Sequence, residues 1–199
     1  DRIDINTCEN KSNLMVKGPG TFDISGNIYK TRTLAGFNAA NFKFVEVKEN
    51  AETLAPYCFQ NCTRLEEVYL PDSLKYIKAN SFNMCYNLER VRIPKGVIQV
   101  DEGAFSQSAG IKELVVDPEN TVYKVDGNCL IDINNKLLVF GLNDSTIPVD
   151  GSVTTIGAEA FRGTTKESIT LPPVVNGNDV YLGSMSFADC PNLTEVIIP

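Results

Sequence analysis

Apolar positions along this chain return at a fixed interval. Phe59, Phe82 and Phe105 are 23 residues apart, and Cys62 and Cys85 keep the same step, with Ser108 in the third slot. Leu65, Leu88 and Ile111 follow in that register, then Val68, Val91 and Leu114, then Leu70, Ile93 and Val116. Pro71 and Pro94 close two units, Asp117 and Pro118 close the third, and a degenerate unit with Phe42, Val45 and Val47 precedes them. So many positions in one register mean a repeat protein, in which each unit buries its apolar face only against its neighbours.

Two further units follow an interruption. Val153-Thr-Thr-Ile156 leads to Phe161, Ile169, Leu171 and Pro172, and Leu182 leads to Phe187, Cys190, Leu193, Val196, Ile198 and Pro199. Residues 118–146 between them read as an inserted hairpin or an atypical coil. Its centre, Leu130 to Val139, predicts two short strands about a tight turn at Asn134-Asn135, residue types that tolerate positive φ. The excess spacing between Phe161 and Phe187 falls in a Pro/Asn/Gly loop from Pro173 to Asp179.

Within a unit, Leu65-Glu-Glu-Val68-Tyr-Leu70-Pro71 alternates as a half-buried strand does, and proline ends it. Leu74 to Ile77 is a second short extended piece, and Ala79 to Cys85 predicts a single helical or 3₁₀ turn. The expected class is a β-rich α/β solenoid of about six coils, with short helical or 3₁₀ turns and an inserted β-hairpin.

The run from Ile77 through Phe82, Cys85, Leu88 and Val91 to Pro94 resembles the BspA-like leucine-rich repeats, as do Ile156 to Phe161 and Ser186 to Pro199. Tyr123-Lys-Val-Asp-Gly-Asn-Cys-Leu130 resembles a hairpin-forming insert common in that family. The resemblance spans residues 34–199, departing at Ser108 and in the Phe161 unit, which lacks the cysteine and one residue of the turn. It implies a leucine-rich repeat horseshoe over 34–199, with residues 1–33 as an N-terminal cap. It also implies surface or secreted proteins linked to adhesion, matrix-protein binding and aggregation.

Composition narrows the chemistry. The 199 residues carry 18 Lys+Arg against 25 Asp+Glu, a net charge of −7, which argues against a nucleic-acid or acidic-membrane binder. Histidine is absent, which excludes Ser-His-Asp and Cys-His catalysis and His-ligated zinc. The chain begins at Asp1, so a removed signal peptide or an excised segment is expected. It stops at Pro199 directly after a strand, so a continuation or a covering neighbour is expected.

Cys62 and Cys85 occupy equivalent slots about 5 Å apart, but parallel Cβ vectors suit a disulfide poorly, so buried reduced thiols are expected. Cys8, Cys58 and Cys129 lie outside that slot and cannot be paired from sequence. Asp126-Gly-Asn128 and Asp132-Ile-Asn134-Asn135 are oxygen-rich yet lack the EF-hand order, and turn chemistry accounts for both. Gly18-Pro-Gly20 is a hairpin turn rather than a phosphate loop. Of the adjacent carboxylates Glu66-Glu67 and Asp101-Glu102, Glu66-Glu67 is a poor acid/base pair because strand neighbours point to opposite faces. Sequons occur at Asn10, Asn61, Asn143 and Asn192, the second and fourth within the repeat turn, and chance and repeat composition account for them. No metal, cofactor or enzymatic activity is expected.

What remains is the strand face. In the Val-x-Leu strand the residues flanking the core positions point the other way, toward the concave surface of a leucine-rich solenoid. They are Phe44, Glu46, Glu67, Tyr69, Arg90, Arg92, Glu113, Val115, Ser168, Thr170, Glu195 and Ile197. Mixed aromatic and charged side chains suit a protein contact, with Tyr69, Arg90 and Arg92 at its centre and the inserted hairpin as rival site. The expected function is a non-catalytic, extracellular or cell-surface module for protein binding or adhesion to host or neighbouring cells. The expected partner is a protein such as a host matrix or surface protein, with a glycan weakly supported for want of Trp. The alternative is a structural spacer that displays or connects other domains.

Overall fold

The computed structural model describes residues 43–47, 51–173 and 179–199. Residues 1–33, Cys8, Asn10, Gly18 to Gly20 and Phe42 lie outside them, as do 174–178 of the expected loop and the side chains of Phe44 and Glu46. The first-strand positions of the repeat form a parallel sheet of β1 (Phe44–Glu46), β3 (Glu67–Tyr69), β5 (Arg90–Ile93) and β7 (Glu113–Val116). Its register keeps the sequence period, Val45 opposite Val68 and Val91 opposite Leu114. The second extended pieces form a parallel sheet of β2 (Thr53–Leu54), β4 (Tyr76–Ile77) and β6 (Gln99–Val100). Between these two sheets lies an apolar core that includes Leu65, Leu74, Leu88 and Ile93.

The turns are not helical. Among the described residues there is no helix, and the expected helical or 3₁₀ turns, with the α part of the fold class, are corrected by the backbone. Five coils carry left-handed residues two before and two after the Phe: Tyr57 and Asn61, Asn80 and Met84, Gly103 and Gln107, Glu159 and Gly163, Met185 and Asp189. A right-handed helix cannot contain them. Bonds such as Cys58 N–H to Ala55 O (3.2 Å) and Cys62 N–H to Phe59 O (3.1 Å) close short turns with positive φ at the third residue, the mark of type II. In the first of these Pro56 supplies the fixed φ at the second position.

The remaining amides turn outward to the next coil. Tyr57, Phe59 and Asn61 donate to Ala79, Ser81 and Asn83 (3.2, 2.8 and 2.9 Å), and Phe82 and Met84 donate to Ala104 and Ser106. Every second residue of the turn therefore bonds within the coil and the others bond between coils, as in a parallel ladder. On this scaffold the rings stack, Phe59 on Phe82 at 5.2 Å and Phe82 on Phe105 at 5.4 Å between centroids.

The Cys slot has a bonding role as well as a packing one. The Cys85 thiol donates to Phe59 O (3.1 Å), the Cys190 thiol to Phe161 O (3.2 Å) and the Ser108 hydroxyl to Phe82 O (2.5 Å). Ser108 Oγ also accepts the Cys85 N–H (3.0 Å), so serine replaces cysteine there as a small donor. In the Phe161 coil Thr164 fills the slot and donates to Asn143 Oδ1 (2.8 Å).

The insertion contributes three strands rather than the expected two: β8 (Tyr123–Asp126), β9 (Cys129–Asp132) and β10 (Leu137–Gly141). Positive φ falls at Gly127, Asn128 and Lys136, not at Asn134-Asn135. Gly127-Asn128 has both central residues left-handed, as a two-residue type I′ hairpin requires. At the second turn Asp132 accepts the N–H groups of Asn134 and Asn135, which holds the turn without left-handed asparagines.

β10 then pairs in parallel with β11 (Thr155–Ile156), and β11 with β13 (Tyr181–Leu182), placing Leu138, Ile156 and Leu182 in one column. Lys136 O accepts the N–H groups of Thr154 and Thr155, just as Lys75 O accepts those of Ile98 and Gln99. The hairpin thus supplies the second strand of a coil and its Phe: Phe140 packs on Phe105 at 5.6 Å, tilted by 44°. Asn143 donates to Ala109 O as Asn87 does to Thr63 O, which returns the chain to the repeat register. The last coil, with β14 (Glu195–Ile197) paired to β12 (Ser168–Thr170), leaves Leu182 and Val196 exposed.

Phe82 has no exposed surface and lies between two rings, so Phe82→Ala is expected to cost about 3–5 kcal/mol in denaturant unfolding. Ser108→Ala takes one of two acceptors from the Cys85 N–H, which keeps Phe82 O (3.3 Å), and one of two donors from Phe82 O, for a loss of about 0.5–1.5 kcal/mol. Ser108→Cys keeps a donor and is expected to lose less in the same measurement.

Candidate functional site

The face of the first parallel sheet turned away from the core carries Glu67, Tyr69, Arg90, Arg92, Glu113 and Val115, all flanking buried strand residues. Glu67 stands opposite Arg90, Arg90 opposite Glu113, and Arg92 opposite Val115. Tyr69 is 54% exposed and Val115 39%. Phe44 and Glu46 are on β1 beside Glu67 and Tyr69, with side chains outside the described ones. Ser168, Thr170, Glu195 and Ile197 are brought together on β12 and β14, but in a separate two-stranded sheet. The sequence-derived set therefore divides into two patches, because the insertion interrupts the strand ladder between β7 and β12.

The charges on this face pair along the stack. Arg90 binds Glu113 at 2.7 Å, Lys43 binds Glu66 at 2.6 Å and Lys112 binds Glu89 at 2.6 Å, each pair 23 residues apart. Arg92 reaches sideways to two strand-exit carboxylates, Asp72 (3.2 Å) and Asp117. Lys95 joins Asp72 and Glu119. Asp72, Lys95 and Asp117 were missed by reading strand alternation alone, since they lie just past the strands. The signal was present, because Asp72 and Lys95 repeat the 23-residue step. Among the described residues Glu67 takes no part in an ion pair.

The other candidates serve the fold. Asp101 pairs with Lys78, Glu102 accepts the Ala158 N–H, and Asp126 pairs with Lys124. The Asn143 and Asn192 amides donate to Ala109 O and Thr165 O in the preceding coil. Among the described residues no group of His, Cys, Asp or Glu could hold a metal ion. Cys58, Cys62, Cys85, Cys129 and Cys190 are free thiols. Burial drives the Cys58 and Cys85 thiols well above their ordinary range and the Cys129 thiol up to about 12. No helix of the described residues is long and apolar enough to cross a membrane.

The model of the BspA type leucine-rich repeat region matches residues 35–148 and 138–199, in six copies. The chain belongs to that family. No curated protein matches it. Among solved structures, this BspA-type chain is similar to a leucine-rich cell surface protein of Faecalibacterium prausnitzii, at 22% identity and a TM-score of 0.70, over 82% of this chain and 43% of that one. It is similar to the pneumococcal vaccine antigen PcpA at 17% identity and a TM-score of 0.65, over 79% and 40%. A leucine-rich repeat protein of Eubacterium ventriosum matches at 16% and 0.52, over 85% and 64%. These likenesses establish the fold as a leucine-rich repeat solenoid of about six turns, and the chain spans about two fifths of the first two relatives.

Asp117 is held below its ordinary value, first by the Glu119 N–H and also by Arg92. A carboxyl depressed in the folded state stabilises the fold above its unfolded value, about 3.9, and that stability is lost as pH falls through the folded value. Asp117→Asn is therefore expected to lower the melting temperature at pH 6 and to narrow the gap to wild type as pH drops below about 4. Thiol labelling of the native protein, read by peptide mass, is expected to modify half-buried Cys190 before Cys58, Cys62, Cys85 and Cys129, which are buried.

Proposed function

We propose that this chain is a non-catalytic, surface-displayed repeat module that binds a protein partner through the outward face of β3, β5 and β7. The observation that carries the reading is Tyr69 and Val115, two exposed apolar side chains on the strands either side of β5, Val115 standing opposite Arg92. A face that served only as a solvated wall would have no use for them, and Tyr and Arg are the residue types most enriched at binding hot spots. Extracellular or cell-surface placement is supported by the family and by a relative described as a cell surface protein. The partner class is an extracellular-matrix or cell-surface protein, contacted for adhesion. The second patch, Ser168, Thr170, Glu195 and Ile197, extends the contact for a large partner.

A spacer role is the second reading. It is favoured by the pairing of most charges on the sheet face with one another, which leaves few free to meet a partner. The rival site on the insertion narrows to its tip, where Ile133 is exposed, because the strands behind it are buried.

The test measures binding of the purified chain to immobilised matrix proteins and mucus. Tyr69→Ala is expected to weaken capture at least about tenfold, with the stability change inside the usual ±0.5 kcal/mol for surface positions. Binding that survives Tyr69→Ala but is lost in Ile133→Asp moves the site to the hairpin tip. No capture of any matrix or mucus protein by the wild-type chain favours the spacer.

A further inference from the structure

The buried apolar residues fall into two clusters rather than one. The first holds the coils of Phe59, Phe82 and Phe105, and the second holds that of Phe161. The boundary runs through the inserted hairpin. Leu130 and Val139 belong to the first cluster, while Cys129, Ile131 and Leu138 belong to the second. Neighbouring strand residues point to opposite faces, so the hairpin is a septum with one face on each core. That explains why every residue of β9 is buried, where a coil strand alternates.

On the turn side the septum thins to Phe140, packed on Phe105, and Gly141, which lies against the Phe161 ring. Beside them the turn of Phe105 meets that of Phe161, and among the described residues one backbone bond joins the two turns, Gln107 N–H to Arg162 O (3.1 Å), against three between the turns of Phe59 and Phe82. Ala160 O is instead taken by Gly141 N–H of the hairpin. Side chains fill the gap. Glu102 accepts the Ala158 N–H, and the Ser106 hydroxyl donates to Glu159 (2.5 Å). Arg162 binds both Glu159 (3.0 Å) and Asp189 (2.8 Å), and Gln107 Nε2 donates to Asp189 (3.1 Å). Glu159, Gln107 and Asp189 all occupy left-handed positions, where a non-glycine residue is strained. Gly157 clears the way, since a Cβ there would stand 3.4 Å from the Glu102 carboxylate and 2.9 Å from Leu138 O.

We propose that the solenoid consists of two cooperative units, one on each side of the hairpin septum, and that the Glu102, Ser106, Gln107, Glu159, Arg162 and Asp189 network is the clasp that couples them. Loosening the clasp lets the second unit open while the first stays folded. The junction is therefore a built-in hinge between the two sheet patches, β1-β3-β5-β7 and β12-β14.

The test is amide hydrogen exchange by mass spectrometry on the whole chain carrying Ser106→Ala with Gln107→Ala. Both substitutions lie in the first unit. Peptides of the second unit, residues 153–171, are expected to exchange at least about tenfold faster than in wild type, while peptides covering 53–93 stay within about twofold. Equal acceleration of both units would mean one cooperative body and would overturn the proposal. So would acceleration confined to the first unit, or none at all. Glu159→Gln, which weakens the clasp from the other side, is expected to show the same asymmetry and serves if the double variant fails to fold. Arg90→Ala, which breaks an ion pair inside the first unit, is the control expected to leave residues 153–171 unchanged.

Discussion

The structure depends on the alternation of hydrogen bonds in the turn. With left-handed residues two before and two after the Phe of each regular turn, half the turn amides close the turn and the other half reach the next coil. That division satisfies the backbone on a bend too tight for a helix, and buried backbone donors cannot be left unpaired. It also fixes the height of each coil on the next. The phenylalanine rings, the strand registers and the ion pairs at 23-residue spacing all inherit their alignment from it.

The apolar register was legible from sequence because core slots recur at a constant interval with similar side chains, and with the same one at Phe59, Phe82 and Phe105. The same reading mistook Ala79 to Cys85 for a helical turn. Its left-handed residues are Asn80 and Met84, and only the asparagine advertises positive φ, while Tyr57, Gln107, Glu159 and Met185 do so elsewhere with no compositional sign. In those positions the stacking of coils overrides local preference. The Ser108 departure carried a signal that was not used: serine and cysteine share a small donor group, and the donor is what the slot requires.

The insertion was located by the break in period, but its role was not. Counting residues gives a hairpin, whereas the structure makes Leu138 a repeat-column residue and Phe140 a member of the ring stack, with the turn between them and Asn143 shortened. The candidate face was half legible for the same reason. Strand alternation named Glu67, Tyr69, Arg90, Arg92, Glu113 and Val115, but not the division between the β7 and β12 patches. Nor did it name Asp72 and Asp117 as partners of Arg92, which turn an apparent hot-spot arginine into a residue that also ties strand exits together.

The central claim is that the hairpin is a working part of the stack. It is tested most directly by the denaturant midpoint of Phe140→Ala. Phe140 is 5% exposed and packs on Phe105, so the substitution should cost about 3–5 kcal/mol, as for a ring inside a regular coil. A loss below about 1 kcal/mol, the scale of a surface position, would show the hairpin to be an appendage and contradict the account.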